Sequence, residues 1–85
     1  MLKYTVVITL SVRRYLKKLP DKLADKLESE MLKLEINPRP VGCLKLKGRN
    51  AYRIRSGNYS IIYEIEDKIL KVTVVEAGDR KDIYN

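Results

Sequence analysis

The sequence predicts an α+β fold, ordered β-α-α-β-β-β-β, with a helical hairpin packed on one face of a twisted, mainly antiparallel sheet. Three observations predict it. Helical periodicity is confined to the stretch from Ser11 to Leu34. Everything after Pro40 reads as short strands separated by Gly, Asn and Asp turns. The apolar density of Ile61 to Ile65 and of Leu70 to Val75 marks two central strands. Helices grouped early and strands grouped late place the helices together on one sheet face. With 85 residues the chain is a single domain, 1–85, with room for one sheet and two helices.

Each element has a local reason. From Lys3 to Thr9, Leu2, Tyr4, Val6 and Ile8 fall on one face at period two, giving a first strand. Ser11 offers an N-cap, and Val12, Tyr15, Leu16 and Leu19 follow at helical spacing. Arg13, Arg14, Lys17 and Lys18 form the outer face of that helix. Pro20 breaks it, and Asp21 is placed to cap a second helix with Leu23, Leu27, Met31 and Leu34 as its apolar stripe. Asn37-Pro38-Arg39-Pro40 ends that helix, because proline disfavours helical backbone in the residue before it. Strands are then expected at Cys43–Lys47, Ala51–Arg55, Tyr59–Glu66 and Ile69–Glu76. The turns between them fall at Gly48-Arg49-Asn50, Ser56-Gly57-Asn58 and Asp67-Lys68.

Charge narrows the function. The formal net charge is +7. No acidic residue stands between Glu35 and Glu64, and that window holds Arg39, Lys45, Lys47, Arg49, Arg53 and Arg55. A charge excess gathered in one stretch suits a polyanion such as nucleic acid, or an acidic protein. No apolar run is long enough to span a bilayer, and the alternating N-terminus does not read as a signal peptide, so no membrane is expected. A single cysteine, Cys43, rules out an internal disulfide and fits the cytoplasm. The chain has no histidine, which removes the usual activating base for that thiol and weakens any zinc site. No metal or cofactor is expected.

Side chains alternate along a strand. Tyr52 and Ile54 should therefore face the helices, and Arg53 and Arg55 the opposite, open face. Lys45 and Lys47 alternate with Leu44 and Leu46 in the same way, and Arg49 lies in the turn between. Guanidinium groups bind phosphate oxygens bidentately, so this face is expected to hold RNA backbone. The competing reading is a solvated sheet face, common in antiparallel sheets. Arg80 and Tyr84 follow the last strand and can reach back over the sheet edge.

Several pieces occur in a familiar order: Lys45-Leu46-Lys47-Gly48, Tyr52-Arg53-Ile54-Arg55, the run Gly57-Asn58-Tyr59-Ser60-Ile61-Ile62-Tyr63, and a closing stretch with Gly78, Arg80 and Tyr84. Over nearly its whole length the chain resembles the RelE/ParE superfamily of type II toxins, the RelE branch in particular. The resemblance implies a RelE-like fold and ribosome-dependent cleavage of mRNA in the A site. The implied reaction is attack of a 2′-OH on the adjacent phosphate, leaving a 2′,3′-cyclic phosphate and a 5′-OH. It implies Arg53, Arg55, Arg80 and Tyr84 as catalytic residues, with Lys45, Lys47 and Arg49 binding substrate. It implies as partners a cognate, RelB-like antitoxin, the ribosome and mRNA.

The family's arginine after Gly-x-Tyr is Ser60 here, so part of the expected phosphate clamp is missing and activity is expected to be attenuated or lost. Asp79 beside Arg80 pushes the same way. Two other readings stay open: a ParE-like poison of DNA gyrase, and a ribosome- or RNA-binding homologue that does not cut.

Overall fold

The computed structural model describes residues 3–79. Arg80 and Tyr84 lie outside the described residues. Five strands and two helices follow the expected order. They are β1 (Thr5–Ile8), α1 (Leu10–Lys17), α2 (Asp21–Leu32), β2 (Leu44–Lys45), β3 (Tyr52–Ser56), β4 (Tyr59–Glu66) and β5 (Lys71–Asp79). The sheet order is β1-β5-β4-β3-β2. All pairings are antiparallel except β1 with β5. That parallel pair is made by the crossover through the helices and the β2–β4 meander.

One face of the sheet carries the core. Ile8, Ile54, Ile61, Tyr63, Ile65, Val72 and Val74 meet Val12, Leu16, Leu27, Met31 and Leu34 from the helical layer. Leu27 and Met31 are fully buried, so either one cut back to alanine would cost about 2–5 kcal/mol.

The boundaries differ from expectation for local reasons. Helix α1 starts at Leu10 with Thr9 as its N-cap, and Thr9 Oγ1 lies 3.3 Å from Ser11 Oγ. Pro20 is the N-cap of α2, and Asp21 is its first residue, where a carboxylate favours the positive end of the helix dipole. A 3-10 turn, Lys33–Glu35, prolongs α2. β2 is only two residues long, because the chain before it folds into a turn. In that turn Cys43 N donates to Pro40 O at 3.0 Å, and Gly42 stands at φ 93. β5 begins at Lys71 rather than Ile69, because Asp67–Ile69 forms a 3-10 turn and Leu70 takes a left-handed φ of 51. β5 then runs on to Asp79.

A polar latch pins the loop after α2 to the far end of the sheet. Arg39 Nη1 and Nη2 donate to the two oxygens of Asp67 at 3.2 and 2.9 Å. Tyr4 donates its hydroxyl to Asp67 Oδ1 at 2.7 Å. The Arg39 guanidinium lies 5.2 Å from the centre of the Tyr52 ring, and Tyr52 stacks on Tyr63 with centroids 6.0 Å apart. The buried Tyr63 hydroxyl donates to Pro38 O at 2.6 Å. The neighbouring Arg39 and the Tyr4 hydroxyl hold the Asp67 carboxyl below the usual carboxylate range. Burial pushes the Tyr63 phenol above its ordinary value.

Candidate nucleic-acid interface

Directly opposed residues of antiparallel strands share a face. Arg53 is opposite Ile62, and Ile62 is opposite Glu76. Arg55 is opposite Ser60, and Ser60 is opposite Gly78. These two rows lie on the face away from the core, because Ile54 and Ile61 of the same strands belong to the core. The expected placement of Arg53 and Arg55 therefore holds: they stand two residues apart on one strand, on the face opposite the helices. Arg55 is exposed and Arg53 half-buried.

The other cations sort differently. Lys45 is opposite Tyr52, and Leu44 is opposite Arg53. The β2 register thus puts Leu44, not Lys45, on the arginine face. This corrects the expectation that Lys45 joins the arginines. Strand alternation fixes only relative faces, and the pairing with β3 decides which lysine goes where. Lys45 Nζ instead donates to the carbonyl of Arg49 at 3.2 Å, closing the turn between β2 and β3. Lys47 is exposed in that turn. Arg49 does reach the open face: its Nη1 lies 3.4 Å from Glu76 Oε1 on β5. For that contact the β2–β3 turn must lean over the face. Arg39 is committed to Asp67 and does not contribute to the face. The six positive charges of the central window therefore do not form one surface.

Ser60 is fully buried, with its hydroxyl lacking a hydrogen-bond partner among the described residues. Ile62 is 2% exposed although it faces away from the core. The middle of the arginine face is therefore covered, not open to solvent. Glu76 is the residue that sequence reading missed. It is far from Arg53 in the chain, and only the insertion of β4 between β3 and β5 puts the two in one row. The signal available in the sequence was its place among the alternating residues of the last strand.

Beyond Arg53, β3 runs past the end of β2, and a cleft of about 620 Å³ opens along it. Leu34, Ile36, Val41 and Ile54 make its apolar lining, and Arg53 and Arg55 form one rim. Ile36 and Val41 are strongly exposed there. The two arginines thus border both the open face and the cleft.

A family model for the ParE toxin of the type II toxin–antitoxin system parDE matches residues 6–84. The toxin RelG of Mycobacterium tuberculosis is 35% identical over 83 residues, covering 95% of each chain. The chain belongs to the RelE/ParE superfamily of type II toxins. Solved structures agree on the fold. The toxin–antitoxin complex RelBE2 of M. tuberculosis matches with a TM-score of 0.80 and 29% identity, covering 94% of each chain. The archaeal RelE–RelB complex of Pyrococcus horikoshii matches with a TM-score of 0.81 and 27% identity, covering 93% of this chain and 97% of that one. The superfamily's two helices on a five-stranded mixed sheet are the architecture described above. No helix among the described residues is long and apolar enough to cross a membrane.

Proposed function

We propose that this toxin acts as a ribosome-dependent endoribonuclease, cutting mRNA in the A site by attack of a 2′-OH on the adjacent phosphate. The observation that carries the reading is the pair Arg53 and Arg55 on one face of β3, with Arg49 brought to the same face. Fixed guanidinium groups aimed at a phosphate stabilise the extra charge of a pentavalent transition state. They stay protonated, so they serve as the electrostatic clamp and not as proton acceptors. Arg80 and Tyr84 complete the set in this reading, stabilising the leaving oxygen and stacking on a base. The substrate is mRNA on the ribosome, and the cell compartment is the cytoplasm.

Ser60 tempers the reading. It sits where the resemblance calls for a cation, directly opposite Arg55, and carries no charge. Cleavage slower than that of a full arginine set follows from it.

The partner is a RelB-like antitoxin. The relatives from M. tuberculosis and P. horikoshii were solved as toxin–antitoxin complexes. The cleft beside Arg53 and Arg55 suits an apolar segment with carboxylates at its ends, which would cover the arginines as it bound.

A second reading has one observation in its favour: the matching family model describes a ParE toxin. ParE-like proteins poison DNA gyrase. The two are separated by adding the purified chain to a reconstituted translation reaction and, in parallel, to gyrase with relaxed plasmid. New mRNA ends that require ribosomes support the nuclease. Loss of supercoiling with intact mRNA supports gyrase poisoning instead.

A further inference from the structure

The transesterification needs a group to take the proton from the attacking 2′-OH. The chain has no histidine. Arginine stays protonated at any ordinary pH. The arginine face nevertheless holds a carboxylate. Glu76 lies in the same cross-strand row as Arg53, with only Ile62 between them. Two strand spacings put their Cα atoms about 10 Å apart. Ile62 between them is 2% exposed and therefore covered, so a substrate meets this row from above, where the Glu76 side chain is about half exposed.

We propose that Glu76 is the proton acceptor of the reaction, accepting the 2′-OH proton while Arg53 and Arg55 hold the phosphate. The inference rests on the nuclease reading above. The 2′ oxygen forms its bond to phosphorus, and its proton passes to the Glu76 carboxylate. The bond from phosphorus to the 5′ oxygen breaks, and that oxygen takes a proton from water. Glu76 then returns its proton to solvent.

Arg49 gives the carboxylate a resting partner. Their contact is 3.4 Å long and both side chains are about half exposed, at 46% and 49%. Such a pair is weakly held. A phosphate arriving on the face competes for Arg49 and releases the carboxylate for the hydroxyl. The charged groups facing Glu76 are Arg49 from the β2–β3 turn, Arg53 from β3 and Glu64 from β4. Glu64 lies on the same face, opposite Thr73, but one step further from Arg55. It is the control.

The test is the single-turnover rate of mRNA cleavage on programmed ribosomes, measured across pH for the wild type, Glu76→Gln and Glu64→Gln. Glutamine keeps the size of the side chain and an oxygen for Arg49, and removes only the basicity. The expected result is a loss of about 100-fold or more in Glu76→Gln, the usual worth of a general base. A fall in rate toward acid pH is expected in the wild type and in Glu64→Gln, and should be absent in Glu76→Gln. Wild-type rate in Glu76→Gln overturns the proposal. So does a slower Glu76→Gln with an unchanged pH profile, which would make Glu76 a positioning residue for Arg49. A wild-type chain that leaves ribosome-bound mRNA intact sinks the nuclease reading, and this inference with it.

Discussion

Arg39 grips Asp67 with both ends of its guanidinium, at 3.2 and 2.9 Å, and so ties the loop after α2 to the turn between β4 and β5. Asp67 has its carboxyl held low in the folded chain, chiefly by Arg39 and then by Tyr4. A carboxylate with a lowered folded-state pKa stabilises the fold above its unfolded value, about 3.9, and loses that contribution as pH falls below it. Thermal melts from pH 7 down to pH 2 should therefore show the wild type losing stability in acid. Asp67→Asn should start lower at pH 7 and lose less on acidification.

Tyr63 supplies the second tie to the same loop, through Pro38 O at 2.6 Å. Tyr63→Phe leaves that carbonyl without its donor and should cost about 2 kcal/mol in urea unfolding. Amide hydrogen exchange should speed up in residues 36–43, the loop that walls the cleft. The phenol's pKa is raised by burial, so the folded state favours the neutral form. The stability this brings is complete below about pH 10 and is lost as pH rises through the higher folded value. Tyr63→Phe should abolish that alkaline loss.

Ser60 makes the arginine face testable without any activity assay. Its hydroxyl is buried and lacks a partner among the described residues, so Ser60→Ala should be neutral or stabilising by up to about 1 kcal/mol. Ser60→Arg must bring a long charged side chain into a buried position. It should cost about 3 kcal/mol unless the covering groups move aside. Restoring the family's arginine is thus a structural change as well as a chemical one, and its melting temperature must be read beside its activity.

The two faces of the sheet give a sharper contrast. Arg53→Ala or Arg55→Ala should each slow cleavage by roughly 100- to 1000-fold, with the melting temperature little changed. Lys45→Ala should leave the rate near wild type, because its register puts it on the other face, where it closes the turn onto Arg49 O. Equal losses at all three positions would mean that charge alone, not its placement, matters.

Much of the fold was legible because its signals are local. The period-two run of β1, the helical stripe of Leu23, Leu27 and Met31, and the Gly57-Asn58 turn each fix their own element. The placement of Arg53 and Arg55 away from the helices followed from strand alternation and held. What was not legible depends on pairing between distant segments. The two-residue length of β2 comes from the turn at Pro40–Cys43, and its register with β3 decides the face on which Lys45 stands. The nearness of Glu76 to Arg53 exists only once β4 lies between β3 and β5. Arg39 read as part of a basic stretch, and its commitment to Asp67 is a contact between residues 28 apart in the chain. A charge run in sequence says nothing about which charges already have partners.

The central claim, that this toxin cuts mRNA on the ribosome with its β3 arginines, is tested most directly by primer extension. The mRNA is placed on purified ribosomes with the A site open, and the wild type is compared with an Arg53→Ala, Arg55→Ala double variant of equal stability. The account predicts new 5′ ends within the A-site codon, dependent on ribosomes and absent with the double variant. Uncut mRNA with a folded wild type would contradict it, as would cleavage by the double variant at the wild-type rate.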